Sequence, residues 1–480
     1  MTRPKARTAA VRRTNSWRAP AVPHQKSLYR GVDYGAPIVL KAEDFAPPGR
    51  QAGWGPFAEQ FLRANETSLA MLDIRAELSA SGGETKIRLL PGGRAGALPL
   101  RSAQTRHVKA GLLISPRFGW AGVGTVMQET GWAASPEFLD VPLVPGSARD
   151  VPPWVLAGPV LARLAELLDS LVPGYEIKNE TLTAPRGRIL WTDYVRGPLS
   201  SGNWHRLPCR FPDLSKDRML RSAIRWTLER TRQSLLVAGG RDPFATELDR
   251  MVSVLLLRLQ DVTAAEPRLG DLERRFANRV SRVVPLRHGL QAIGWVVDER
   301  GLGGGREMDG LAWQLPLEVI WESHVEAVIR AEEAIRGGEV KSGRLHQTLF
   351  PLNWSDPSYR SLGHLVPDII VRRGNSIHVI DAKYKAHFAE LDETSWRDFT
   401  VDARESHRAD IHQVLAYAGL FDASEITATL VYPLRWETWT KLEARGRDRV
   451  FAELFHGGRT VRLELRGLPF GRGNQRRMNA

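Results

Sequence analysis

The stretch Leu365-Val-Pro-Asp368-Ile-Ile-Val-Arg-Arg-Gly374-Asn-Ser-Ile-His-Val-Ile-Asp381-Ala-Lys383-Tyr-Lys385 decides the reading of the chain. Val366 to Val371 is an apolar, β-branched run, Gly374-Asn375 is a turn signal, and Ile377 to Tyr384 is a second run. Together they predict a β-hairpin. Side chains two apart on a strand share a face. Asp381, Lys383 and Lys385 therefore line one face, and Ala382 and Tyr384 the other. His378 falls opposite Asp381 and reads as a packing residue. Asp368, at the start of the partner strand, is expected to bring its carboxylate to that of Asp381.

Two neighbouring carboxylates repel unless a cation lies between them. An acid pair without thiolates suits a hard ion, Mg²⁺ or Mn²⁺ in its place. Such an ion can activate a water and polarise a phosphate oxygen, and a lysine two residues beyond the second Asp can offset charge on the phosphorus. Those are the requirements of phosphodiester hydrolysis. A lone Asp-x-Lys means little in a chain with 25% charged residues. Pro-Asp, an apolar strand, a turn and an apolar strand ending in Asp-x-Lys are far more specific.

Two helices flank the hairpin in sequence. Leu315 to Arg336 has apolar Leu317, Ile320, Trp321, Val325, Val328 and Ile329 at helical spacing. Glu322 shares a side with Val325 and Ile329, so it is expected to point inward toward a metal or a lysine. Downstream, Asp410 to Phe421 reads as a helix that places Gln413 and Tyr417 on one face, within reach of the hairpin.

A glutamate on a helix, then Pro-Asp, Asp-x-Lys and Gln-x-x-x-Tyr resembles the PD-(D/E)xK nuclease superfamily in its RecB-like form. More narrowly, Val319-Ile-Trp-Glu322-Ser-His-Val325, Ile380-Asp-Ala-Lys-Tyr-Lys385 and His412-Gln-Val-Leu-Ala-Tyr-Ala418 resemble the McrC-like nuclease subunit of McrBC-type (5-methylcytosine) restriction systems. Gly174-Tyr-Glu, Arg186-Gly-Arg-Ile189, Pro208-Cys-Arg-Phe211 and Asp217 with the helix after it extend the likeness over about residues 170 to 440. The sequence departs from the family pattern at Trp321, at Ser323-His324 and in the spacing after Asp217. The resemblance implies catalytic Glu322, Asp368, Asp381 and Lys383, with the first three on the metal. It implies an accessory group of Gln413, Tyr417 and Lys385. It also implies DNA as substrate, a role in defence against foreign DNA, and an McrB-like AAA+ GTPase or ATPase ring as partner, with a homodimer inside a larger complex as one arrangement. A non-cutting adaptor that docks on and stimulates such a ring is the alternative.

The rest of the chain fits a cytoplasmic bacterial protein. It has 480 residues, 42% hydrophobic, with 67 Lys and Arg against 54 Asp and Glu. The net charge of +13 suits a polyanionic partner, although only 11 of the 67 basic residues are lysine, the composition of a GC-rich genome. The single cysteine, Cys209, excludes an internal disulfide and a multi-thiolate zinc site. No apolar run is long enough for a membrane span; the best, Met251 to Leu257, is too short. No G-x-x-x-x-G-K-[ST] is present, so no nucleotide is expected on this chain itself. The fold expected is α+β multidomain: a basic arm at 1–32, an N-terminal α+β domain at 33–152, a mainly helical middle domain at 153–310, a C-terminal α/β PD-(D/E)xK restriction-endonuclease-like domain at 311–470, and a tail at 471–480. Among the 15 tryptophans, Trp354, Trp396, Trp436 and Trp439 lie around the motifs and are candidates for base stacking.

Overall fold

The computed structural model describes residues 27–46, 53–81, 84–130, 136–139, 141–146, 151–171, 174–215, 217–239, 243–280, 283–297, 310–356, 361–385, 388, 401–456 and 459–471. The arm up to residue 26, Trp396 and the tail beyond residue 471 lie outside them.

The C-terminal part is built on a six-stranded mixed sheet. Its order is Glu339–Ser342, Ile369–Arg373, Ser376–Ala382, Glu425–Leu434, Arg459–Pro469, Arg449–His456. Ile369–Arg373 and Ser376–Ala382 form the expected antiparallel hairpin, and Gly374 takes the left-handed turn position at φ +55°. Ser376–Ala382 runs parallel to Glu425–Leu434, and a parallel neighbour requires a crossover, supplied by the helix Val401–Ala418. Ile370, Val379, Ala428 and Tyr432 pack on one face together with Val414 and Tyr417 of that helix. Ile369, Val371, Ile380 and Val431 pack on the opposite face with Trp321 and Ile329 of the helix Leu317–Arg336. Gly337, at φ +81°, ends that helix, its N–H bonding back to the Glu333 carbonyl.

Upstream, two sheets sandwich the core of Phe45, Trp54, Phe61 and Leu98. Phe57 to Glu77 carries helical spacing throughout, but the helix is only Ala58–Met71. Asp73, at φ +53°, turns the chain into the strand Ile74–Ser81. The middle region holds Pro153–Ser170, Arg218–Gly239, Pro243–Leu257, Leu269–Val280 and Val284–Val297, packed helix on helix. A separate three-stranded unit, Gly174–Leu182, Leu207–Ser215 and Arg188–Ile189, carries exposed Ile177, Trp191 and Trp204. No helix among the described residues is long and apolar enough to cross a membrane.

The expected segment boundaries cut through paired strands at two places. Ser27–Val32, at the end of the predicted arm, is a strand parallel to Val108–Ser115. Trp313–Pro316, just inside the expected C-terminal domain, instead pairs with Arg94–Arg101 of the N-terminal sheet, and Leu317 begins the next helix with no residue between. Local periodicity cannot display a partner more than 200 residues away.

Candidate active site at the hairpin

Register places the two aspartates opposite one another. Ile369 pairs with Ile380, so one step outward Asp368 faces Asp381. The Ala382 N–H donates to Asp368 Oδ2 at 2.8 Å. Asp381 is 1% exposed, and its Oδ2 lies 2.7 Å from Lys383 Nζ. The regular strand ends at Ala382. The Lys383 N–H still donates to the Val431 carbonyl at 2.8 Å, so its backbone stays fixed to the sheet. Lys383 Nζ also donates to Gln413 Oε1 at 2.9 Å, and Gln413 Nε2 donates to the Tyr417 hydroxyl at 2.9 Å. The helical spacing of Gln413 and Tyr417 thus becomes one chain of contacts: Asp381, Lys383, Gln413, Tyr417.

Glu322 arrives from the helix Leu317–Arg336. Trp321, fully buried, donates its indole N–H to the Val431 carbonyl at 3.2 Å and so fixes that turn of helix against the sheet. Glu322, Glu326, Arg344 and Asp368 line one cavity of about 240 Å³. His378 is on the opposite side of its strand from Asp381, as expected, with Nε2 2.7 Å from Thr429 Oγ1. Burial, helped by Arg466 and Arg373, lowers its pKa to about 4.

Acids dominate the electrostatics. Burial, then Glu318 and Asp381, raise the Glu322 carboxyl to about 7. Burial and repulsion from Asp381 and Glu322 hold Asp368 well above the ordinary aspartate range. Burial also raises Asp381, although Lys383 pulls the other way. For Lys383, burial works against the charge, but Asp381 outweighs it and the ammonium pKa lies above its usual value. Lys383 is therefore a proton donor to hydrogen bonds at neutral pH rather than a base.

Three carboxyls short of positive charge fit a hard divalent cation. Among the described residues no three carboxylate, imidazole or thiolate groups converge closely enough to ligate one ion unaided. Asp368 and Asp381 would thus supply the protein's share, with the remaining ligands from water, backbone and phosphate oxygens, as Mg²⁺ commonly takes them.

Some groups were out of reach of motif reasoning. Lys385 does not join the acid pair: its ammonium lies 2.7 Å from Asp410 Oδ1 and 2.9 Å from Ser406 Oγ. Glu326, one turn beyond Glu322, accepts from Ser342, Arg330 and Arg344 at 2.9, 2.9 and 3.1 Å. The i, i+4 spacing from Glu322 was the available signal for Glu326; nothing local pointed to Arg344. Of the tryptophans, Trp354 is 45% exposed and donates to the Leu362 carbonyl, while the Trp436 and Trp439 rings lie 5.2 Å apart. Cys209 is buried.

A family model described as the McrBC 5-methylcytosine restriction system component matches residues 161–433. That is more than half of the chain, and the chain belongs to this family. No curated protein matches it. A chain in the refined half-complex from the tetradecameric assembly of Thermococcus gammatolerans McrB AAA+ hexamers with bound McrC is 13% identical. It covers 94% of this chain and 97% of its own, with a TM-score of 0.41. A chain in the cryo-EM structure of the Thermococcus gammatolerans McrBC complex is also 13% identical, covers 63% of this chain and 87% of its own, and has a TM-score of 0.28. Membership rests on the family model.

Proposed function

We propose that this restriction-system component is the DNA-cutting subunit, a Mg²⁺-dependent endonuclease with a PD-(D/E)xK-type core, driven by an AAA+ partner ring. One observation carries the reading: Asp368 and Asp381 face each other in register at the end of a hairpin, with Lys383 on Asp381 and Gln413 behind it. Bound there, Mg²⁺, or Mn²⁺ in its place, supplies Lewis acidity toward a phosphate oxygen and a water. Asp368 and Asp381 would hold the ion, and Glu322 would complete the acidic wall. Lys383, kept charged by Asp381, donates from Nζ to the phosphate oxygens as negative charge gathers on them. Gln413 aims that ammonium through Oε1, and Tyr417 fixes the amide of Gln413. The net charge of +13 supplies salt-sensitive affinity for the DNA backbone.

The partner ring follows from the family's being one of system components and from the McrC-like motifs. The exposed apolar groups Ile177, Trp191 and Trp204 offer such a partner a surface to cover. The test is nicking and linearisation of supercoiled plasmid by the full chain with its ring and Mg²⁺. Wild type is expected to cut, and Asp381→Ala and Lys383→Ala to leave the plasmid intact. Equal cutting by those variants removes the assignment. A wild type that never cuts but accelerates the ring's nucleotide hydrolysis establishes the adaptor instead.

A further inference from the structure

The acids and Lys383 all belong to the C-terminal part, yet two walls of their site are held by residues of the N-terminal part. Asp33 is fully buried and ends the strand Ser27–Val32, its N–H bonded to the Ser115 carbonyl. Its carboxylate accepts from the Arg117 backbone N–H and lies 3.4 Å from Arg117 Nε. So anchored, the Arg117 guanidinium lies over three rings: Tyr384 at 4.6 Å, Phe118 at 4.9 Å and Tyr34 at 5.1 Å. Tyr384 follows Lys383 directly. The Lys385 N–H bonds back across Tyr384 to the Lys383 carbonyl at 2.9 Å, a tight turn in which holding the Tyr384 ring holds the backbone from which the Lys383 side chain leaves.

The second wall is reached from the same place. Phe118 stacks on Phe470 at 4.7 Å, and Phe470 stacks on Trp321 at 5.8 Å, next to Glu322. The Tyr34 hydroxyl donates to Glu318 Oε1 at 3.3 Å, one helical turn before Glu322. Gly93 closes the contact: a Cβ there would come within 2.9 Å of the same carboxylate oxygen. The buried ion pair therefore packs on Tyr384 of the lysine segment directly and reaches the glutamate helix through Tyr34 and through Phe118 and Phe470. A buried charged pair is a poor source of stability for its cost, and its location beside the site points to another use.

We propose that Arg117, anchored by Asp33 and packed on Tyr384, is a positioning residue through which the N-terminal part sets the separation of Lys383 from the acid wall. The inference rests on the proposed cleavage for one of its two readouts only. In the full chain with its ring, Arg117→Ala is expected to lower the DNA turnover number by about 10-fold or more with the DNA KM unchanged, since small misplacement of a catalytic group is costly. Tyr384→Phe, which keeps the ring, is expected to restore what Tyr384→Leu loses, and Arg117→Ala combined with Tyr384→Leu should be no worse than either alone. Trp54→Phe, a core change remote from the joint, serves as the stability-matched control and should leave turnover alone.

The second readout needs no cutting. Acetic anhydride labelling, read by mass spectrometry, should rise several-fold at Lys383 in Arg117→Ala and stay constant at exposed Lys441. If Arg117→Ala does not fold, Tyr384→Leu carries both measurements. Unchanged turnover and unchanged Lys383 labelling overturn the proposal, as does an equal turnover loss in Trp54→Phe. Should wild type fail to cut at all, the cleavage reading falls, and the labelling alone decides the positioning role.

Discussion

Four of the five glutamates on the helix Leu317–Arg336 meet opposite fates. Glu332 and Glu326 lie beside arginines. Burial alone would lift their carboxyls, but Arg466 in one case and Arg330, Ser342 and Arg344 in the other hold them below the ordinary glutamate range. Glu333 is gripped by Arg373 through bonds of 2.9 and 2.8 Å. Glu322, one turn before Glu326, faces Glu318 and Asp381 and is pushed up to about 7. The contrast shows how a protein separates structure from chemistry. Where buried charge is matched by arginine, the fold is complete as it stands. Where acids outnumber bases, as around Glu322, the buried charge is left unmatched, the pattern of a candidate functional site.

The largest expected effect comes from removing the unmatched charge. Asp381→Ala should reduce cleavage in the plasmid assay on the order of 10³-fold or more, yet leave the melting temperature unchanged or higher. A large fall in melting temperature would put Asp381 with the matched glutamates instead. Arg466→Ala sharpens the other side. It strips Glu332 of its bidentate partner inside a site where Arg466 is 5% exposed, and should cost about 3 kcal/mol in urea unfolding.

Glu322→Gln and Glu326→Gln should shift stability in opposite directions. Glu322 titrates near 4.5 when unfolded and at about 7 in the fold, so the folded state holds the extra proton between those values. Wild-type stability therefore falls as pH rises through that window, and the glutamine variant escapes the loss. It should be more stable than wild type above pH 7 by on the order of 2 kcal/mol, equal to it below about 4.5, and the gap should shrink when Mg²⁺ is added. For Glu326 the folded pKa is depressed. Its stabilisation is present above the unfolded pKa and disappears as pH falls through the folded one, so Glu326→Gln should lose about 1–2 kcal/mol at neutral pH and little in acid. Matching signs for the two variants would dissolve the comparison. The smallest effect belongs to Gln413→Ala, about 10-fold in turnover, read in the same assay at saturating DNA.

The hairpin was legible because its signals are local: an apolar run, a Gly-Asn turn and a period of two. Register then followed, and with it the encounter of Asp368 with Asp381. The inward face of Glu322 and the shared face of Gln413 and Tyr417 came from helical spacing in the same way. Lys385 did not follow its period, because the strand ends at Ala382 and a long side chain beyond it reaches the nearest carboxylate, Asp410. Arg344 enters from a turn after Glu339–Ser342, a place no periodicity marks. The Asp33–Arg117 pair was illegible for a different reason. Its meaning depends on Tyr384, some 267 positions beyond Arg117 in numbering, and one sequence carries no record of such an encounter.

Trp313–Pro316 has a practical corollary for anyone dissecting the molecule. It completes the sheet laid down by residues 27–115 and becomes the acid-bearing helix at the next residue. A truncated chain starting at Leu311 would strip this strand of both neighbours and bare Trp313, now 1% exposed, to water. The C-terminal part is thus not a detachable module, and its excision would have to carry along the strands Arg94–Arg101 and Glu137–Phe138.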